Sequence, residues 1–543
     1  MKPPCDEAVI RSRIAAMPCR QEQGVWVLVA TILASSMAFI DSTVVNVALP
    51  ALQNSFGASV VGMQWVVESY GLTLAALILV GGSMGDLFGR RRMFLLGVAV
   101  FTLASVACGL ASSIGQLIAA RTIQGIGAAF LVPGSLSLIS SSFGERERGR
   151  AIGTWSGSTA ITTAIGPVLG GWLIEHLSWR WAFFLNVPLG VAVMLTSFWC
   201  VPESSSRQRR GIDWAGAVAA TLSLTGLTFA FIESTRLGWR HPLVLTSLVV
   251  GMVGTAAFQR IEATTVAPMV PPSLFRSRAF SGANLLTFSF YAAIGIFFFL
   301  LPLDLIQVQQ YSATMAGAAI LPMILIVFLL SRWSGGLVSR YGARPPLVAG
   351  PVIAAFGFLL FSVPSVGGSY WSTFFPAVVV LGLGMAVSVA PLTTVVMESV
   401  DEDRAGTASG INNAVARVAG LLAIAVLGLV VMGAFQSQLN RHLATITMPS
   451  DLRAELQSNA GRLGALKAPA GVDPVIASAI ESSILSSFVF GFRLVMWICA
   501  ALALASAAIA LRMIPAPSVV TAAHQVRAGK ADGSLTYFAG EQL

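Results

Sequence analysis

The chain has 543 residues, of which 55% are hydrophobic and only 10% are charged, whereas about 25% of the residues in soluble domains are charged. So few charged side chains could not solvate the surface of a globule this large, which excludes a soluble domain. The formal net charge of +9 comes from basic residues dispersed among short loops. Because they do not cluster on one face, no nucleic-acid partner is expected.

Apolar stretches of about 18 or more residues recur along the chain, each long enough to cross a hydrocarbon core about 30 Å thick. They predict fourteen membrane-spanning helices, at residues 25–50, 63–82, 93–111, 115–139, 150–174, 182–201, 213–232, 243–261, 281–302, 314–333, 345–363, 372–391, 405–433 and 487–512. The predicted fold class is therefore an all-α polytopic membrane protein that lies in a lipid bilayer.

The 33 Lys and Arg residues test this helix count, because cytoplasmic loops carry an excess of basic residues. With a cytoplasmic N-terminus, 23 of them face the cytoplasm, 7 face the outer side and 3 lie within helices. This asymmetry predicts that both termini are cytoplasmic and that the chain lies in the plasma membrane, the inner membrane of a bacterium. The first apolar stretch is too long for a signal peptide, so we interpret it as a retained helix.

The connection after the second span carries the most informative motif of the chain. Glycines permit close backbone approach there, and charges mark where the chain leaves the lipid. A weaker copy stands at 335–344, with Ser339 in place of the acid, which indicates a duplication. The motif residues are Gly82, Asp86, Gly89, Arg90 and Arg91.

Aligning the two copies divides the chain into two six-helix halves with two additional helices between them, an architecture that recurs among transporters. We expect the outer loop between the last two spans, at 435–486, to form a compact cap. A substrate gate or an adaptor contact is the alternative. The predicted segments are a cytoplasmic tail at 1–24, an N-terminal half at 25–201, a linker with two extra helices at 202–280, a C-terminal half at 281–512 with its outer loop at 435–486, and a cytoplasmic tail at 513–543.

Three charged residues lie at similar depth inside predicted helices: Asp41, Glu68 and Arg121. Charged groups are costly in a bilayer and therefore indicate function. An opposing arginine stabilises an ionised carboxylate while desolvation favours its neutral form, so such a site could bind a proton and a cationic solute alternately. The alternatives are a fixed structural ion pair for Asp41 and Arg121, and contact with interfacial water for Glu68.

Arg417 lies deep in the thirteenth span beside Asn413, and Asn46 follows Asp41 in the first span. We include Arg417, Asn413 and Asn46 in the candidate proton-coupling and substrate site. Interhelical hydrogen bonding is the alternative for Arg417. Asp304, close to the end of a predicted span, is expected to reach water at little cost.

The fifth span carries Gly166, Pro167, Gly170 and Gly171, which indicate close helix packing and a bend. The sequence has no phosphate-binding loop, no metal-ligand pattern and no nucleophile–base arrangement. We therefore expect no enzyme activity, no metal and no cofactor. Active transport would draw on an ion gradient or on another subunit.

These motifs resemble those of the major facilitator superfamily, and in particular its 14-helix drug:proton antiporter branch. Residues 39–50 are similar to that branch's first-helix motif, and residues 121–129 to the fourth-helix arginine motif. Residues 166–171 are similar to the fifth-helix antiporter motif, and the likeness extends from about 25 to 512. The resemblance implies the major facilitator fold, with fourteen transmembrane helices.

The resemblance also implies roles for individual residues. The motif that contains Gly82 and Gly89 would form a cytoplasmic gate, in which Asp86, Arg90 and Arg91 lock and release the cytoplasmic side. Asp41 and Arg121 would serve proton coupling or cation recognition. Leu87 and Ser339 depart from the family pattern. The lock is therefore expected to depend on the first copy of the motif.

The function implied is proton-coupled export of amphipathic small molecules by alternating access, that of a multidrug efflux antiporter. Export of one endogenous metabolite, lipid or siderophore would use the same machinery and stays open as an alternative. A non-transporting membrane sensor or scaffold is the remote alternative. A monomer is expected, and a periplasmic adaptor remains open as a partner.

Overall fold

The computed structural model describes residues 21–204, 213–266, 268–400 and 404–515. Nearly all of them are helical, and fourteen helices are long and apolar enough to span a membrane. These are α1 (Gln21–Phe56), α2 (Val60–Phe88), α3 (Arg90–Leu110), α4 (Ile114–Ser142), α5 (Glu145–His176), α6 (Trp181–Phe184 and Asn186–Cys200), α7 (Trp214–Leu237), α8 (Pro242–Thr264), α9 (Arg278–Leu303, continued by a π-helical turn at Asp304–Val308), α10 (Ala313–Ala319 and Leu321–Tyr341), α11 (Arg344–Phe361), α12 (Tyr370–Glu398), α13 (Ala405–Thr445) and α14 (Pro474–Met513).

The fourteen predicted spans are confirmed, each by one observed helix. Many of the helices extend beyond their predicted ends, α13 and α14 furthest. The connection between these two is therefore 446–473, shorter than the predicted outer loop at 435–486. It contains a helix at Ser450–Ser458 and a 3-10 helix at Ala460–Ala465. Almost all of the predicted tails, 1–24 and 513–543, fall outside the described residues.

We call the two ends of the helix bundle the arginine end and the cap end. The arginine end holds the α2–α3 connection, where Gly89 has a φ of 107° that favours glycine over other residues. The cap end holds residues 446–473, which we call the cap segment. Successive spans run in opposite directions between these two ends.

The first six helices pack as one half, with close approach at glycines. A Cβ on Gly125 of α4 would clash with the carbonyl oxygen of Tyr70 in α2. A Cβ on Gly127 would lie 2.5 Å from the backbone nitrogen of Phe101 in α3. These contacts bring α2, α3 and α4 close enough for polar side chains to meet inside the half.

The two inserted helices lie on one side of the bundle. Helix α7 packs against α2 of the N-terminal half and α13 of the C-terminal half, whereas α8 packs mainly on α7. A Cβ on Gly226 of α7 would come within 2.6 Å of the backbone nitrogen of Gly251 in α8. Helix α8 exposes Val249 and Val253, as a lipid-facing helix does.

The two halves touch at the cap end. Gln53, near the end of α1, donates to the carbonyl oxygen of Arg462 at 2.9 Å and accepts from Gln307 beyond α9 at 2.9 Å. Added Cβ atoms on Gly171 of α5 and Gly317 of α10 would clash with the backbone of the opposite helix. Helices α5 and α10 therefore meet backbone to backbone, and the structure is closed at the cap end.

Candidate functional site

A buried ion pair between α1 and α4 forms the centre of the candidate site. Arg121 Nη1 lies 2.5 Å from Asp41 Oδ2, and their side chains are 2% and 0% exposed. The structure thus brings together two of the residues predicted to act in proton coupling. A buried pair of this kind is stable when its remaining polar atoms are also hydrogen-bonded.

Two further polar side chains bind the pair, and a third binds those two. Gln124, one turn after Arg121, donates to Asp41 Oδ1 at 2.8 Å and accepts from Arg121 Nη1 at 2.7 Å. Asn186 of α6 donates to the same Oδ1 at 3.2 Å. Ser105 of α3 accepts from the amides of Gln124 and Asn186, at 3.1 and 2.9 Å. We call these five buried residues the Asp41 cluster.

The guanidinium group of Arg121 is also held on its other side. Its Nε donates to the carbonyl oxygen of Val66 at 3.2 Å, and the Tyr70 ring centroid lies 4.2 Å from its Cζ. The ring supplies a cation–π contact. Arg121 therefore keeps favourable partners whether or not Asp41 is ionised.

The hydrogen bonds of the cluster depend on whether Asp41 carries a proton. Ionised Asp41 accepts hydrogen bonds from Arg121, Gln124 and Asn186, whereas a protonated Asp41 would lose the ion pair and gain a donor. Asn186 Oδ1 is buried and has no partner among the described residues, so it offers an acceptor beside that donor. Proton binding would thus rearrange the contacts among α1, α4 and α6.

Glu68 does not belong to the Asp41 cluster, although it was predicted at similar depth. Its side chain is 0% exposed, and neither carboxylate oxygen has a hydrogen-bond partner within the described ranges. On the same side of α2, Gln64 donates to the backbone of α13 and Trp65 donates to Glu233 of α7, each at 2.9 Å. Glu68 therefore lies where α2, α7 and α13 meet.

The remaining predicted members of the site are also separate from the cluster. Arg417 is half-buried, and among the described residues none forms a hydrogen bond or an ion pair with its side chain. Asn413 is exposed and bonds only within its own helix, whereas Asn412 donates to two side chains of α9, at 2.7 Å to the nearer. Asn46 is half-buried, and five helical residues turn it roughly 140° away from Asp41.

At the arginine end, the motif residues bind one another and the end of α6. Arg90 Nη2 lies 2.8 Å from Asp86 Oδ1, and the Asp86 side chain is 45% exposed. The Glu203 carboxylate accepts from the backbone N–H groups of Arg91 at 3.1 Å and Arg92 at 3.2 Å. Glu203 thus places a negative charge at the N-terminus of α3, where it is favoured.

The two glycines of this motif differ in how closely they are packed. A Cβ on Gly89 would lie 2.8 Å from the Glu203 carboxylate, so a side chain there would displace the contact to α3. A Cβ on Gly82 would lie 3.7 Å from Pro133 of α4, an ordinary van der Waals distance. Gly89 is therefore the more constrained of the two.

The predicted small residues of α5 face two different helices. Gly166 and Gly170 face α1, and an added Cβ on Gly170 would lie 2.6 Å from a side-chain carbon there. Gly171 faces α10, and the carbonyl oxygen of Pro167 meets Gly317 of the same helix. This one segment thus joins the helix that carries Asp41 to the closed contact at the cap end.

Sequence reasoning named no site role for Ser105, Asn186 or Glu203. Ser105 and Asn186 are polar residues inside otherwise apolar spans, which is the signal that could have identified them. Glu203 follows a proline directly after the sixth span, close to basic loops on the same side. Because Glu203 caps α3 through a tertiary contact, the local sequence does not reveal this role.

Comparison with known proteins identifies relatives along most of the chain. The family model described as Major Facilitator Superfamily matches residues 31–424. The chain is 38% identical over 425 residues to the multidrug resistance protein Stp of Mycobacterium tuberculosis (strain CDC 1551 / Oshkosh), covering 77% of each protein. It is 31% identical to the tetracenomycin C resistance and export protein of Streptomyces glaucescens, covering 89% of this chain and 90% of that protein.

Among solved structures, the chain resembles a bacterial homologue of the human lysosomal transporter Spinster in an inward-facing, unoccupied conformation. The TM-score is 0.61 at 18% identity, with 92% of this chain and 100% of that chain covered. A D-xylose–proton symporter matches with a TM-score of 0.56 at 14% identity, over 91% of this chain and 98% of that one. At these identities the likeness concerns the fold alone.

Proposed function

Because the chain belongs to the major facilitator superfamily, we propose that it exports amphipathic small molecules, antibiotics among them, in exchange for protons. It is a multi-pass membrane transporter of the drug-efflux type. The relatives named for multidrug resistance and for tetracenomycin C resistance and export support antibiotics as substrates. Export of one endogenous metabolite, lipid or siderophore is the alternative.

The observation that carries proton coupling is the Asp41 cluster. It places a carboxylate that is 0% exposed against a single arginine inside one half of the protein. Proton binding there would neutralise Asp41 and free the guanidinium group of Arg121. A ligand or proton drives a conformational change only through different affinities for the two states, and this pair provides such a difference.

The arginine end is proposed to face the cytoplasm, with both termini there, because basic residues concentrate at that end. The chain would then lie in the bacterial inner membrane, with the diverging ends of α5 and α10 toward the cytoplasm. Asp86, Arg90 and Arg91 would close the arginine end in the opposite state. In the present state Asp86 pairs with Arg90 of its own half, which leaves the halves free to separate there.

Glu68, Arg417, Asn413 and Asn46 remain proposed contributors to coupling or to substrate binding. Glu68 is supported by its burial without a hydrogen-bond partner among the described residues, since an isolated buried charge is costly and a bound proton would remove it. Arg417 is supported by its position near Tyr70, which also contacts Arg121. The protein is proposed to act as a monomer, and a periplasmic adaptor would extend its path through the envelope.

Transport into proteoliposomes with an imposed pH gradient tests the function. Wild-type protein is expected to accumulate a fluorescent amphiphile such as ethidium when the gradient is present and to stop when an ionophore dissipates it. Asp41→Asn is expected to lose gradient-driven transport, whereas Asp451→Asn, an exposed acid of the cap segment, serves as the matched control. Wild-type rates in Asp41→Asn would overturn the Asp41 assignment.

A failure of the wild-type protein to move any amphiphile would overturn multidrug export. Exchange of one metabolite alone would then support the dedicated exporter. Binding of a partner without any transport would support the sensor or scaffold.

A further inference from the structure

The two lateral seams between the halves differ in how far they are closed. One seam lies between α2 and α13, beside the inserted helix α7, and the other lies between α5 and α10. Each seam can be followed from the cap end toward the arginine end through the positions where the helices touch. The α2–α13 seam is in contact along most of its length, whereas the α5–α10 seam is in contact only near the cap end.

The α2–α13 seam is closed along most of its length. Near the cap end, Gln64 of α2 donates to the carbonyl oxygen of Ile424 in α13 at 2.9 Å. A Cβ on Gly71 would lie 2.7 Å from Leu421, and one on Gly410 would lie 3.6 Å from Leu79. From Gln64 to Leu79 is about 22 Å along a helix. Helix α7 covers this seam from outside, since it packs on both helices.

The α5–α10 seam is closed only at the cap end. There Gly171 and Pro167 of α5 meet the backbone of α10. Positions 153, 157, 164, 167 and 171 fall on one face of α5, because steps of three and four residues return to the same side of a helix. Yet Cβ atoms on Gly153 and Gly157 would meet no described heavy atom within 4 Å.

Helix α10 shows the same change along its length. Gly317 touches α5 at the cap end, whereas Gly335, eighteen residues or about five turns later, would carry a Cβ with no heavy atom of the described residues within 4 Å. The two helices therefore diverge toward the arginine end. The gap between them widens in that direction.

The edges of this gap carry exposed apolar side chains and, nearer the arginine end, a basic one. Ile161 of α5 is 49% exposed and Phe328 of α10 is 37% exposed. Arg150, seven residues before Gly157 and on the same side of α5, is exposed about 10 Å nearer the arginine end. An apolar edge followed by a guanidinium group matches a molecule with an apolar body and a polar head.

We propose that this gap, the α5–α10 portal, admits amphipathic substrates sideways from the membrane leaflet, and that the inserted helix α7 closes the opposite seam so that a single portal remains. The proposal rests on the export function proposed above. It assigns the inserted helices a role in substrate access. It also implies that the protein selects substrates by their partitioning into lipid.

Lipid access to the portal can be measured without transport. Cys5, Cys19 and Cys200 are replaced by serine, while Cys108 and Cys499 are buried and are kept. Gly157→Cys in this background is labelled with bimane and reconstituted with lipids brominated in their acyl chains. Strong quenching at position 157, and none in Val418→Cys of the α2–α13 seam, is the expected result. Absence of quenching at position 157 would overturn the portal.

Transport tests the route itself. The double variant Gly157→Trp and Gly335→Trp fills the gap, and its kcat/KM for the membrane-partitioning dye Hoechst 33342 is expected to fall about fivefold or more. Gly433→Trp is the matched control, because Gly433 also has no described neighbour within 4 Å of an added Cβ but lies on α13, away from the portal. Unchanged kcat/KM in the double variant would contradict lateral entry.

Varying the lipid amount at constant total dye separates the two sources of substrate. Rates that follow the dye concentration in the membrane support the portal, and rates that follow only the aqueous concentration contradict it. If wild-type protein transports no amphiphile, the proposed function fails, while the quenching result still decides whether the gap is open to lipid.

Discussion

Asp41 and Arg121 lie 80 positions apart in the chain, yet their charged groups are 2.5 Å apart with the rest of the protein excluding water from both. Gln124 bonds to both groups, while Asn186 contacts only the carboxylate and Tyr70 only the guanidinium group. The pair is thus part of a network, and each member can be tested separately.

Arg121→Met is expected to destabilise the protein by about 3–5 kcal/mol, because it leaves a buried carboxylate without its counter-charge. The double variant Asp41→Asn with Arg121→Met is expected to recover most of that loss. Thermal unfolding in detergent measures both effects. Equal losses in the single and double variants would show that the two charges do not interact.

Glu68→Gln is expected to leave the melting temperature within about 2 °C of wild type. Neither carboxylate oxygen has a partner among the described residues, so the neutral amide sacrifices no hydrogen bond. Proton-driven transport is expected to fall at least about tenfold, since only an ionisable group can bind a coupled proton. Full transport at normal stability would remove Glu68 from the coupling mechanism.

Gly171→Leu is expected to shift the protein toward a state open at the cap end, because its side chain would collide with the backbone of α10. Spin labels on Asn54→Cys and Lys467→Cys, both exposed, are expected to move apart in this variant. Gly157→Leu is the control, since that position has space for a side chain. The same label distance in both variants would contradict a closed contact at Gly171.

Glu203→Gln is expected to weaken the start of α3 by about 1 kcal/mol, the usual magnitude for a lost helix N-terminal contact. Faster amide hydrogen exchange at Arg91 and Arg92 would report this loss directly. Glu147→Gln, an exposed acid of α5, should leave exchange at both residues unchanged. Unaltered exchange in Glu203→Gln would show that the carboxylate does not hold the turn.

The fold could be predicted largely from hydropathy and from the placement of arginines. Each apolar stretch became a helix, because a chain in lipid satisfies its backbone hydrogen bonds within helices. Helix ends were less predictable. Helices α13 and α14 extend well past the lipid-crossing segment, since polar residues continue a helix once tertiary contacts support it.

The site could be predicted in part. The pairing of Asp41 with Arg121 was predicted from their similar depth. Depth does not define which side of a helix faces a neighbour, however, and Glu68 faces α7 and α13. Asp304 was expected to reach water and is instead 2% exposed. The loop at 362–369 lies over that end of α9, where Gln309 binds it, a contact between distant segments that local sequence does not encode.

Helix α7 bears on how the two halves would move. It is in contact with α2 and α13 at once, on the side of the bundle where the halves stay together along about four turns of helix. Because the halves stay joined on that side, a movement of one half against the other would change the separation of α5 and α10 more than that of α2 and α13. The change at the arginine end would be largest near Gly153 and Gly335, where α5 and α10 are not in contact.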